Sequence, residues 1–305
     1  MNIFKLSKFI LLLCVCLFSA PLHAENTHHF TLGLSQQAIE YEVGESTYQS
    51  ISGTAFFQPV QKSMALPYSR TAFYSRTGSF SLVTAQQEWK DMNVVMGGRI
   101  FRSGDTNYYS AGIFLAKKEL PVWANLRYQY LDERRYNFAD GSFFTSPSES
   151  IKQVTLGWYI QDTLSIQAIY VNQEQDLYGG SVTKLFNLGN FGFLELSAQL
   201  TQTKKQDRVD LSTNTVRYIG VSSNRERFST VSVAYFPFVE TELWFSYQDV
   251  DHRSLGVKTK YLSTGIEHYI FDDVRLGFRY MHKDTDAVET YGNSNTYNVS
   301  LSFEL

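Results

Sequence analysis

Apolar and polar residues alternate one by one through most of the chain. In the last segment, Tyr297, Val299, Leu301, Phe303 and Leu305 share one face, and Asn298, Ser300, Ser302 and Glu304 share the other. A period of two held this strictly describes a strand with one apolar and one polar face. Other segments repeat it. Val274, Leu276, Phe278 and Tyr280 alternate with Arg275, Gly277 and Arg279, and Leu243, Phe245 and Tyr247 alternate with Glu242, Trp244, Ser246 and Gln248. Leu194, Leu196, Ala198 and Leu200 oppose Glu195, Ser197, Gln199 and Thr201, and Val122, Ala124, Leu126 and Tyr128 oppose Asn125, Arg127 and Gln129. No helical apolar stripe is sustained beyond the N-terminal region.

Most runs last about ten to twelve residues, which suits a tilted membrane-spanning strand better than the usual soluble one. The connections come in two kinds. Residues 117–121, 161–163, 188–190, 237–240 and 271–273 form tight turns, whereas 132–150, 203–227, 249–255 and 284–294 form longer polar loops. Short turns at one rim and long loops at the other are the plan of an outer-membrane barrel. The expected fold is therefore all-β: a transmembrane antiparallel up-and-down β-barrel of about sixteen strands. The weakest run is 69–77. If it belongs to a long turn, the runs between 93 and 116 merge and the count becomes fourteen.

The N-terminus is different. Lys5 and Lys8 precede the apolar run Phe9–Phe18, which is too short to span a bilayer, and Ser19, Ala20, Pro21 and Ala24 follow. This is the form of a secretory signal peptide. The expected division is signal peptide 1–24 and barrel 25–305, with Ala20 as the alternative cut. A lipoprotein signal is excluded because large residues, Leu13 and Val15, precede Cys14 and Cys16. Both cysteines leave with the signal, which removes disulfide scaffolds and thiolate metal sites. A net charge of −3 with no basic block argues against a nucleic-acid partner. Aromatics make up 15% of the chain. Trp123, Trp158, Tyr159, Tyr235, Phe236, Phe238, Trp244, Tyr269 and Phe271 cluster near the tight turns, as expected for an interfacial girdle.

With the apolar faces toward lipid, the other faces line a lumen. Arg99, Arg127, Glu195, Glu242, Glu267, Arg275 and Arg279 are the expected pore-lining charges. An Arg facing lipid at the midplane costs about 2–4 kcal/mol, so their alternation itself marks the inside. The matching function is a passive channel for small hydrophilic solutes in the cell outer membrane. The competing structural reading is a non-conducting or adhesive barrel in which these charges neutralise one another.

Several stretches resemble the outer-membrane porin superfamily of Gram-negative bacteria, and more narrowly one poorly characterised porin family. They are Phe56-Phe57-Gln58-Pro59-Val60, Leu66-Pro67-Tyr68, Ala72-Phe73 and Ser79-Phe80-Ser81-Leu82. The final strand is similar to the signal read by the barrel-assembly machinery, but ends in Leu305 instead of Phe. The resemblance implies that machinery, outer-membrane lipid and lipopolysaccharide as partners, and a homo-oligomer is compatible with it.

An enzymatic barrel is the other alternative. His252-Arg253-Ser254 resembles the His-x-Ser spacing of outer-membrane phospholipase A, and Asp249, Asp251 and His252 resemble the Asp–His pairing of omptin proteases. Leu255 stands where the lipases carry Asn, and the omptin surroundings are missing, so no catalytic residue is assigned. His282, Asp284 and Asp286 form an acidic rim better read as solvated than as a metal site, and His28–His29 has no further ligands nearby. No cofactor fingerprint or metal spacing is present.

Overall fold

The computed structural model describes residues 27–41, 44–62, 65–96, 99–172, 176–203, 226–252, 257–285 and 293–305. The expected leader 1–24 lies outside them, as does most of the 203–227 loop. In chain order the strands are β1 (Thr27–Tyr41), β2 (Gly44–Gln61), β3 (Ser79–Lys90), β4 (Val94–Met96), β5 (Arg99–Ala116) and β6 (Val122–Leu131). Next come β7 (Arg134–Phe138), β8 (Phe143–Ser146), β9 (Glu149–Gln161), β10 (Leu164–Asn172), β11 (Leu177–Asn187) and β12 (Phe193–Thr203). The last five are β13 (Glu226–Phe238), β14 (Thr241–His252), β15 (Val257–Phe271), β16 (Val274–Thr285) and β17 (Ser294–Glu304).

Each ring strand pairs antiparallel with the next, and β17 pairs with β1 to close the cylinder. Closure satisfies every ring edge, as lipid requires. The ring omits β4, β7 and β8, so it has fourteen strands. This is the lower of the two expected counts. Run 69–77 is no strand but a 3₁₀ turn, Tyr68–Arg70, followed by the one-turn helix Thr71–Tyr74. The runs at 93–102 and 106–116 become the small strand β4 and the long strand β5.

β5 outgrows the ring. Its lower part pairs with β3 and β6, while its upper part pairs with β4 and β7, and β7 pairs with β8. This flap stands beyond the long-loop rim around buried Met92 and Phe101, packed by Trp89, Tyr136 and Phe138.

The period-two pattern sets the faces. Leu196, Leu243, Phe245, Leu276, Phe278 and Val299 are exposed on the outside of the wall. Inner positions carry small or polar residues, with hydrogen bonds such as Ser35 to Ser50 at 2.7 Å and Thr183 to Ser197 at 3.2 Å. Two inner indoles, Trp123 and Trp244, lie over glycines directly across the sheet, Gly157 and Gly265. A Cβ on Gly265 would stand 2.6 Å from Trp244 Nε1, and one on Gly157 would overlap Trp123. The missing side chain gives the ring its place, a pairing that shelters glycine backbone in sheets. Among the described residues no helix is long and apolar enough to cross a membrane.

Candidate functional site at the short-turn mouth

Five connections at this rim are short: 117–121, 162–163, 188–192, 239–240 and 272–273. The connection from β2 to β3 spans residues 62–78 instead and turns inward across the mouth. Pro67 cannot donate a backbone hydrogen bond and has φ −58°, which suits the entry to a helical turn. Thr71 hydroxyl donates to the Pro67 carbonyl at 3.1 Å and holds the turn together. Pro67 and Thr71 are fully buried, so the segment is packed into the barrel rather than draped over it.

Its contacts reach most of the way round the wall. Lys62 pairs with Glu304 of β17 at 2.8 Å, donates to the Asp272 carbonyl, and lies over the Tyr269 ring. The Tyr68 amide donates to the Val239 carbonyl at 2.9 Å, and the Tyr68 ring meets Tyr269 of β15 edge-on. Phe73 packs on Phe114 of β5, Trp123 of β6 and Tyr159 of β9. Tyr159 hydroxyl donates to the Phe73 carbonyl at 2.8 Å. Arg76 reaches the Lys118 carbonyl and Asp162, each at 3.0 Å.

Arg70 is the centre of this arrangement. Its Nε donates to Glu195 Oε1 of β12 at 2.9 Å. Its two terminal nitrogens grip Glu242 of β14, Nη2 to Oε1 at 2.7 Å and Nη1 to Oε2 at 3.2 Å. Ser69 hydroxyl also donates to Glu242 at 2.9 Å, and Tyr74 hydroxyl to Glu195 at 2.8 Å. Burial works against the charge on Arg70, but Glu195 and Glu242 together outweigh it and hold the guanidinium above its usual pKa. Burial first, then the charge of Glu195, pushes the Tyr74 phenol far above its ordinary value.

The network continues along the wall. Glu242 lies opposite Glu267 in the β14–β15 register. Glu267 in turn binds Arg275 at 3.1 Å and Arg279 at 2.5 Å. Three guanidinium groups thus face three carboxylates, the balance that makes buried charge tolerable. Beside it lies a dry cluster of Tyr74, Leu185, Phe193, Ala234 and Phe236.

Five of the seven sequence-predicted charges, Glu195, Glu242, Glu267, Arg275 and Arg279, therefore come together in one network at the mouth. Arg127 occupies an inner position on β6, opposite Gly112 and Gln153, and is exposed. Arg99 lies elsewhere. It sits in the flap beyond the ring, donates to Ser142 at 3.1 Å and stands 3.7 Å from Asp140. Hydrogen bonds from Ser142, with Arg99 nearby, hold the Asp140 carboxyl below its ordinary range.

The expected girdle divides by parity. Trp158, Phe238 and Phe271 face outward, but Trp123, Tyr159, Phe236 and Tyr269 face inward and form the seat of the segment; Tyr159 is 2% exposed against 55% for Trp158. Arg70, Tyr74 and Lys62 were not predicted. At the long-loop rim, Asp249 and Asp251 lie opposite Lys260 and Lys258 in register, and Lys260 lies opposite Asp284. Arg253, Ser254 and Asp286 fall outside the described residues. Among the described residues no group of three His, Cys, Asp or Glu side chains is placed to hold a metal ion.

No protein-family model matches the chain, and no curated protein matches it. The narrower porin-family resemblance of residues 56–82 therefore has no support from that side. Solved structures do match. The outer membrane protein Omp33 of Acinetobacter baumannii superposes with a TM-score of 0.58 at 12% identity, over 92% of this chain and 99% of that one. The toluene transporter TodX of P. putida gives 0.53 at 10% identity, over 93% and 91%. A TodX deletion mutant described as a monoaromatic hydrocarbon channel gives 0.52 at 12% identity, over 94% and 93%. The fold is that of outer-membrane β-barrels. In that fold the tight-turn rim is the periplasmic end.

Proposed function

We propose that the protein is a passive channel for small hydrophilic solutes, held shut at its periplasmic mouth by residues 62–78 in this conformation. The observation that carries the proposal is how the segment is held. A permanent plug is served best by apolar packing, since replacing a buried ion pair by well-packed hydrophobic residues is often stabilising. Here the central grip is a set of charge-assisted hydrogen bonds from Arg70 to Glu195 and Glu242, and water can replace these if the segment withdraws. The inner wall above it is polar, as a solute path requires. The expected pore-lining charges then act chiefly at the gate, with Arg127 further up the path.

The partners follow from the setting. Lipid and lipopolysaccharide surround the apolar outer face. The strand β17 that closes the barrel is the segment we assign to the barrel-assembly machinery. The leader 1–24 would direct export.

The test replaces Ala65–Arg76 by a short Gly-Ser turn and compares single-channel currents in planar bilayers. The shortened protein should show large, long-lived steps, and the intact protein brief ones. If the shortened barrel, shown to be folded by heat-dependent gel mobility, passes no current, the channel reading fails and the structural barrel takes its place.

A further inference from the structure

Directly above the closing segment, one side of the lumen holds a chamber of about 380 Å³. Its wall is formed by β6, β9, β10, β12, β13 and β14, with a contribution from β11. Trp123 is among its lining residues and also packs in a T-shaped contact with Phe73 of the closing segment, which links the chamber to that segment. None of its lining residues is ionisable, in contrast to the charge network below it. The polar groups are mostly amides: Asn125, Gln153, Gln167, Gln199 and Gln248. Trp123 and Phe228 add aromatic surface.

The amides divide into two sets. Gln153 donates to Thr155 at 3.3 Å and Gln167 donates to Ser181 at 2.6 Å, so these two are fixed by the wall. Asn125, Gln199 and Gln248 make no side-chain hydrogen bond among the described residues, which leaves their donors and acceptors facing lumen water. Arg127, an inner charge two residues along β6 from Asn125, reaches toward β5, where its Nε would stand 4.0 Å from a Cβ on Gly112.

We propose that this chamber is a binding site for an uncharged, hydroxyl-rich solute of sugar size. Each amide offers a donor pair and an acceptor side by side, which match the two hydroxyls of a vicinal diol. Aromatic surface suits the apolar C–H face of a sugar ring. A charged solute would have to shed hydration in a chamber that supplies no counter-charge. Binding strong enough to draw a solute in but weak enough to release it is a requirement of conduction, which places the affinity on the order of millimolar.

The inference names the solute class of the proposed channel and so rests on that reading, but the site can be tested without current. Glucose and maltose are titrated against the purified barrel in detergent, with saturation-transfer NMR of the sugar protons as readout. Gluconate and lysine serve as charged controls. Neutral sugars should bind at millimolar concentration and the charged solutes at least tenfold more weakly. Gln199→Leu and Gln248→Leu should each weaken sugar binding about two- to tenfold. Both side chains lie in the lumen, away from the closing segment, so folding can be checked by heat-dependent mobility. If neutral sugars do not bind, or gluconate binds as well as glucose, the proposal is overturned even where the bilayer shows an open channel. Sugar binding that is lost in the two variants, in a barrel that never conducts, would uphold the site and remove the channel.

Discussion

Arg70→Ala is the substitution that best separates a gate from a fixed plug. In the closed conformation Arg70 makes one hydrogen bond to Glu195 and two to Glu242. The two carboxylate side chains are only 12% and 8% exposed. Removing the guanidinium leaves both buried without their main partner. Breaking a buried pair by taking away one member costs about 3–5 kcal/mol. Once the segment withdraws, both carboxylates face lumen water and the penalty disappears, so the loss falls almost wholly on the closed state. Tyr74 and Ser69 still donate one bond each to these groups, which favours the lower figure. About 3 kcal/mol shifts the closed-to-open ratio by roughly two powers of ten. Planar-bilayer recordings at fixed voltage read this directly as open probability. Arg70→Lys, which keeps the charge but loses the fork, should fall between the variant and the parent. If the folded Ala variant opens no more often than the parent within threefold, Arg70 does not hold a gate.

Four further outcomes follow from the same geometry. With Ser69→Cys and Glu242→Cys combined in the exported chain, a short thiol-reactive cross-linker should lock the channel shut, and cleaving a reducible linker should restore current. Because the Tyr74 phenol is raised above its ordinary value of 10.0 only while the segment is seated, closure should be unaffected below that pH. Above it, the freed phenol ionises and the open fraction should rise about tenfold per pH unit; Tyr74→Phe should abolish that slope. On the outer wall, Leu196→Arg or Leu276→Arg should cost about 2–4 kcal/mol in the denaturant midpoint of folding into vesicles, with the loss shrinking for positions nearer the rims. Gly157→Ala should force Trp123 from its seat and destabilise the barrel by about 1–3 kcal/mol, read in the same titration together with a shifted tryptophan emission.

The strands were legible in the sequence because their pattern is local. Pleating sends successive side chains to opposite faces, so any stretch with lipid on one side and water on the other must alternate, whatever it pairs with. That is why the alternating runs 194–201, 242–248 and 274–280 fall inside β12, β14 and β16, and why the tight turns fall where they were expected. Parity also carried unused information: Trp123, Tyr159, Phe236 and Tyr269 all sit on the polar face of their strands, a sign that something other than water covers them.

What only the tertiary structure decided depends on distant residues meeting. Residues 69–77 have no period that says whether they form a strand or a turn, and ring closure resolved the count at fourteen. Arg99 reads from the sequence as a lumen charge like Arg127, but β5 runs past the ring and breaks its alternation between Phe101 and Ser103, so Arg99 lies in a flap rather than in the lumen wall. Arg70 meets carboxylates 125 and 172 positions away along the chain. No local pattern encodes such a meeting, because it exists only once the cylinder has closed and its inner faces confront one another across the mouth.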